Sequence, residues 1–315
     1  MAEYNVQTTA SGGIKPSVQT FYDKHLLSVA KPNLVHRQFG QKRPIPKNSG
    51  KTINFRRFEK LPKAVGALTE GVTPDGQDIT ITEITATVNQ FGTYITTSDM
   101  LELTNIDPVV TENNKILAQN AAETLDFLDA QVLAAGTNVL YSGGAASRSA
   151  LSSGSEAHKL SVRDVKKAAA ILKNNCAQKI NGSYVAIVHP FVAFDLMNDS
   201  EWIDVKNYDN KDLYAGEIGT LYGIRFVESS EATVFKGAGA SGCDVFATLV
   251  LGADAYGVTE VSGGGLKMIA KQKGSGGTTD PLDQRSTQGW KATDACVVLD
   301  QLNLVRIESA ATLEL

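Results

Sequence analysis

The apolar positions change period several times along this chain. From Thr52, "TINFRRFEKL" alternates through Ile53 and Phe55 as a half-buried strand does, and the phase slips at Phe58. Ile79 and Ile81 alternate next, then Ile84, Ala86 and Val88, then Phe91, Thr93 and Ile95. Each slip turns side chains to the other face, so bulges or a strong twist are expected. Between the two arms lies "LPKAVGALTEGVTPDGQD", small residues with a tight "TPDG" turn and no core pattern. If unbroken, nineteen strand residues from 79 to 97 would reach roughly 60 Å. Two strands alone are marginal in water, so this hairpin needs a surface other than its own.

A 3.6-residue period follows. Asp107 and Pro108 suit a helix start, and Gly136 a stop. Val110, Leu117, Ala121, Leu125, Leu128 and Val132 make one apolar stripe, predicting a helix over 106–136, roughly 42 Å long. After the Gly/Ser/Ala-rich segment 138–155, Ser161 and Asp164 have capping spacing before an inward Val162, Val165, Ala169 and Leu172. "YVAIVHP" is continuously apolar, as a buried central strand is, and Pro190 opens a short helix. "YGIRFVESS", "VFATLVLGADAYGV", "GGGLKMIAKQ", "STQGWKATDACVVLD" and "LNLVRIES" are further strands. Residues 1–50 are polar and weakly patterned, with one amphipathic stretch at 17–30 and otherwise an extended arm. The class is α+β.

Composition narrows function mostly by exclusion. The 315 residues carry a formal charge of −4, so nothing global points to nucleic acid. Three distant cysteines, Cys176, Cys243 and Cys296, form no metal or disulfide spacing. No secretory leader and no run of about 18 apolar residues is present, so no membrane partner is expected. "SGKT" at 49–52 matches only the tail of a phosphate loop, with Ile45 where a glycine is needed, and reads as a basic turn. "GAGASG" at 237–242 leads into a strand, not a helix, and reads as a loop. The four histidines lack metal spacing; His189, at a strand end, reads as structural, and Trp202 and Trp290 as core or interface anchors. No enzymatic site, cofactor or metal is expected.

Charge is uneven, however. Residues 31–63 contain ten basic residues against Glu59 alone, and residues 98–135 seven acidic ones against Lys115 alone. Such opposed blocks predict pairing within or between chains.

The order of arm, outsized hairpin, long helix and α/β unit resembles the major capsid proteins of tailed phages, which share the Hong Kong 97 fold. "NSGKTINFRRFEKLP…LTEGVTPDGQ", "VAIVHPFVAFDLMND", "GEIGTLYGIRFVES", "LVLGADAYGV" and "GGTTDPLDQRSTQGWKA" resemble the N-four-type family, over about residues 35 to 308. The resemblance implies an N-terminal arm at 1–50, an E-loop hairpin at 51–97 and a peripheral domain with a spine helix at 98–157. An axial domain would follow at 158–255, a peripheral return at 256–295 and an axial C-terminal strand at 296–315. It implies self-assembly, as pentamers and hexamers, into an icosahedral shell around double-stranded DNA bound without sequence specificity. Assembly would take place in the bacterial host cytoplasm, with portal, scaffold and decoration proteins as further partners.

In that layout the E-loop lies over a neighbouring subunit. Arg56, Arg57 or Lys60 is then expected to meet Glu112, Glu123 or Asp126 of another chain, with Lys63 and the small tip Ala64–Leu68 packed close by. The fold's founding example has a long cleaved scaffolding region and Lys–Asn cross-links. About thirty residues precede the matched segment here, so a fused scaffold is not expected, and Lys60 and Lys63 are not expected to cross-link. An encapsulin-like nanocompartment shell and a basic-arm nucleic-acid-binding oligomer are the alternatives. Electron microscopy separates closed shells from small particles.

Overall fold

The computed structural model describes residues 34–73, 75–104, 109–202, 217–275 and 280–313. The arm and its amphipathic stretch at 17–30, Pro74 of the turn, and the helix start at Asp107 and Pro108 lie outside these residues. In chain order the first elements are β1 (Gln41–Lys42), β2 (Thr52–Phe58), β3 (Ile81–Thr87), β4 (Asn89–Ser98), α1 (Asp99–Thr104), α2 (Val109–Ala134) and β5 (Val139–Tyr141). Next come α3 (Val162–Asn174), β6 (Tyr184–Val188), α4 (Pro190–Met197), β7 (Glu217–Leu221), β8 (Ile224–Glu228) and β9 (Val234–Phe235). The last are β10 (Val245–Leu251), β11 (Tyr256–Thr259), β12 (Lys267–Lys271), β13 (Arg285–Val298) and β14 (Leu304–Ser309).

The continuously apolar runs form a seven-stranded sheet, ordered β5-β14-β10-β6-β8-β7 with β9 beside β10. β6 and β10 are buried at every position, because both faces of this sheet are covered. On one face, Val165 and Leu172 of α3 and Val192 and Leu196 of α4 pack on Phe226, Phe246 and Ile307. The expected capping holds: Ser161 Oγ accepts the Asp164 N–H at 3.4 Å and donates to its carboxylate at 2.9 Å. His189 is structural, as read. Its Nδ1 accepts the Phe191 N–H at 3.2 Å, which starts α4 at Pro190, and burial lowers its pKa. Trp202 and Trp290 are both core residues, and "GAGASG" is the loop from β9 to β10.

A five-stranded sheet, β1-β11-β13-β12 with β4 also on β13, carries the last of the alternating segments, and β2 with β3 form a separate two-stranded sheet. Here the long-strand expectation is corrected. Residues 79–97 are not one strand: the chain breaks at the buried Val88. β3 pairs with β2 from Thr52↔Thr87 to Phe58↔Ile81 without a bulge, and Ile81 simply points outward. β4 pairs with β13 over ten residues, Asn89↔Asp294 to Ser98↔Arg285. The slip between Val88 and Phe91 is therefore a change of partner. α1 was not foreshadowed by any period.

α2 joins the two sheets. Leu117, Ala121 and Leu125 pack on Met268, Trp290 and Ala292 of the five-stranded sheet. Leu133 enters the core between the sheets, with Val185, Leu249, Tyr256 and Val258. The stripe read from sequence drifts in the second half of the helix. Leu128 and Val132 are half-buried, while Asp126, Asp129 and Leu133 turn inward, because the helix is covered on more than one side. At its end, the Arg306 guanidinium donates to the carbonyl oxygens of Ala134 and Gly136, which suits the negative end of a helix dipole.

Two of the chain's passages between the sheets run side by side, at 252–255 and 299–303. Gly252 N–H donates to Asn303 O at 2.8 Å, and Ala255 O accepts from Leu299 and Asp300 at 2.9 and 3.1 Å. These bonds stitch the crossings into one junction.

Candidate assembly surface

The base of the β2–β3 hairpin sits on that junction. Phe55 is buried with Ala86 and Leu299, and its ring lies over Gly257 of β11. A Cβ at Gly257 would come within 2.7 Å of Phe55 Cζ, so the seat requires glycine. Arg57 donates to Leu299 O at 3.1 Å and pairs with Asp300 at 3.4 Å and Glu59 at 2.7 Å. The Glu59 hydrogen bond raises the Arg57 pKa, and Arg57 in turn lowers that of Glu59. Lys60 Nζ donates to Asn175 O at 2.8 Å.

Beyond this base the hairpin leaves the molecule. Every described residue from Lys60 to Ile81 is exposed. They include Leu61, Val65, Leu68, Val72 and Ile79, with Val65 90% and Leu68 77% accessible.

The expected contact residues fall into two groups. Leu68 and Lys63 are on the free segment, and Arg56 is at the surface in a cross-strand pair with Glu83 at 3.3 Å. On α2, Glu112 is exposed and pairs with Lys115 at 2.7 Å, and Glu123 accepts from Gln119 at 2.7 Å. Arg57 and Lys60 instead hold the hairpin base onto Leu299 and Asn175 of their own chain. Asp126 is a correction: it is fully buried and cannot reach another chain. Its carboxylate accepts the His36 backbone N–H at 2.7 Å, lies 2.7 Å from His36 Nδ1, and accepts from Ser229 Oγ at 3.2 Å. The acidic block was expected to pair with basic residues, but two of its seven acids, Asp126 and Asp129, are interior.

The interior acids form a cluster under residues 34–45. Arg37 pairs with Asp294 at 2.9 Å and with Glu260 at 3.4 Å. Burial, then the charge of Asp294, pushes Asp129 up to about 8. Burial also pushes the Cys296 thiol well up. No sequence period marks these groups; Asp126 and Asp129 sit inside an apolar helix face, and that was the only signal. Among the described residues no group of three or more His, Cys, Asp or Glu is placed to hold a metal, and no helix is long and apolar enough to cross a membrane.

The phage capsid protein family model matches residues 81–307. Among curated proteins none matches the chain. Solved capsid structures do. The capsid of the cyanophage P-SCSP1u aligns at TM-score 0.66 with 18% identity, covering 88% of each chain. The capsid of Ralstonia phage GP4 aligns at 0.67 with 14% identity, covering 87% of each. The mature capsid of bacteriophage PhiM1 aligns at 0.57 with 13% identity, covering 88% of this chain and 87% of that one. At these identities the structures establish the shared fold, and the family model establishes membership. The chain belongs to the phage capsid protein family, a structural component of the virion shell and not an enzyme.

Proposed function

We propose that this chain is the repeating subunit of an icosahedral shell, arranged as pentamers and hexamers around packaged double-stranded DNA. In this reading it is of the N-four type, with the Hong Kong 97 layout. Residues 1–50 are the arm and 51–97 the E-loop, rooted through β4 in the five-stranded sheet. α2 is the spine of a peripheral domain at 98–157 and 256–295, and 158–255 with 296–315 is the axial domain. A portal, a scaffold and decoration proteins are the further partners such a shell would meet. The family assignment sets aside the nanocompartment and basic-arm readings.

The observation that carries the proposal is an anchored hairpin base with an apolar, fully exposed end. Burying a large apolar side chain is worth about 1.5–3 kcal/mol, while ordering each backbone residue costs roughly 1–2 kcal/mol. The described residues of 61–80 bury none of theirs at home, so a neighbouring subunit is the surface that stabilises them. Contacts of this kind, repeated under symmetry, close a container.

Electron microscopy of the purified protein tests this, with closed shells expected. Replacing residues 62–78 by a short Gly/Ser turn should leave a soluble, folded protein that forms none. Small oligomers from the parent protein would overturn the proposal, and normal shells from the variant would overturn the clasp role of the hairpin.

A further inference from the structure

Strands β4, β13 and β12 turn one face to α2, and among the described residues nothing covers the other. Phe91, Ile95, Met268, Trp290 and Ala292 occupy the covered face. On the open face Gly289 lies in β13 between its cross-strand partners Tyr94 and Ile269. These two apolar side chains are 71% and 44% accessible, and the backbone of Gly289, where a Cβ would meet Thr93 O and Tyr94 Cβ at 2.7 Å, floors a slot between them. Gly92, opposite Lys291, extends that floor. The result is an open groove of about 660 Å³ with Lys271 and Lys291 on its rim and no carboxylate in its lining. Lys267 is exposed at the far end of β12. None of the three lysines forms an ion pair among the described residues. An apolar patch rimmed by one sign of charge marks an interaction surface.

The same chain carries the complement. Residues 64–80 hold Glu70, Asp75 and Asp78 and no basic residue, interspersed with the exposed Val65, Leu68, Val72 and Ile79. The hairpin is basic at its root and acidic at its end. Its basic root is already paired at home through Arg56 and Arg57.

We propose that the lysine-rimmed face of β4, β13 and β12 is the seat for residues 61–80 of a second copy of this chain. The apolar side chains of the loop cover the Gly289 slot, and Glu70, Asp75 and Asp78 meet Lys267, Lys271 and Lys291. This rests on the reading of the hairpin as an inter-subunit clasp and adds the face on which it lies. The polarity is the reverse of the charge-block expectation, because Arg56 and Arg57 are already paired within their own chain while, among the described residues, the three lysines are not.

The test is a photo-cross-linking amino acid at Val72, in shells assembled from a mixture of isotopically light and heavy subunits and read by mass spectrometry. Light–heavy cross-links to residues 89–98, 267–271 or 285–294 are expected. Light–heavy cross-links confined to other surfaces would overturn this seat and leave the clasp standing. Cross-links within one copy only, or none, would overturn both. In a second arm, the Lys271→Glu/Lys291→Glu variant should raise the critical concentration for shell assembly about tenfold or more. Adding Glu70→Lys/Asp75→Lys/Asp78→Lys should restore it. Unchanged assembly of the first variant, or no restoration while circular dichroism shows both variants folded, would refute the pairing.

Discussion

Asp126 holds His36 twice, one carboxylate oxygen on the backbone N–H and the other 2.7 Å from ring Nδ1. Both residues are fully buried. The pair ties the segment ahead of β1 to α2. Removing one partner of a buried pair typically costs about 3–5 kcal/mol. Asp126→Ala is therefore expected to destabilise the dissociated subunit by that amount, and Asp126→Asn by less, since it keeps an acceptor for the N–H. Urea unfolding measures both. A loss for Asp126→Ala within the range of an exposed pair, about 0–1 kcal/mol, would show that the tie is not this pair.

Asp129 gives stability a pH dependence of definite sign. Its folded pKa, about 8, lies above its unfolded value of about 3.9. Folding therefore takes up a proton between those values. The contribution of this group is complete below the ordinary carboxylate range and is lost as pH rises to about 8. Asp294, raised to about 6 mainly by burial and held down by Arg37, adds the same sign over a lower window. Asp129→Asn is neutral throughout, so its thermal midpoint should fall less between about pH 6 and pH 9 than that of the parent. Parallel profiles for the two proteins would refute the assignment.

Gly257 and Phe55 should be energetically coupled. A methyl group at Gly257 meets the Phe55 ring at 2.7 Å, and such overpacking costs about 1–3 kcal/mol. In a Phe55→Ala background the ring is gone, and Gly257→Ala should cost much less. A double-mutant cycle in denaturant gives the coupling directly. Additive effects would mean that the hairpin does not rest where the structure has it.

Much of this fold was legible because burial leaves a period. β6, α3 and α4 announced themselves by an unbroken apolar run, capping spacing and Pro190, and each is where the pattern put it, whereas the run read over 245–258 divides into β10 and β11 of different sheets. Two things left no such trace. A strand that changes partner at Val88 looks the same in sequence as one that bulges, since both shift the phase by one residue. The charges of Asp126 and Asp129 stand beside an apolar stripe with nothing in the sequence to name their partners, until residues 34–45 are seen to cover them. The exposed end of the hairpin was legible as a segment without a core. Its complement was not, because Gly289, Tyr94 and Ile269 come from three strands and meet only in the sheet.

The ten-residue ladder between β4 and β13 has a mechanical consequence. Through Val88 the hairpin arm β3 runs directly into β4, so a pull by a neighbour on the loop travels along the strand axis. The β4–β13 hydrogen bonds lie across that axis. They are loaded in shear, together, rather than peeled one at a time from an end. A pull on the loop along β4 therefore meets this joint in the direction in which it is hardest to rupture.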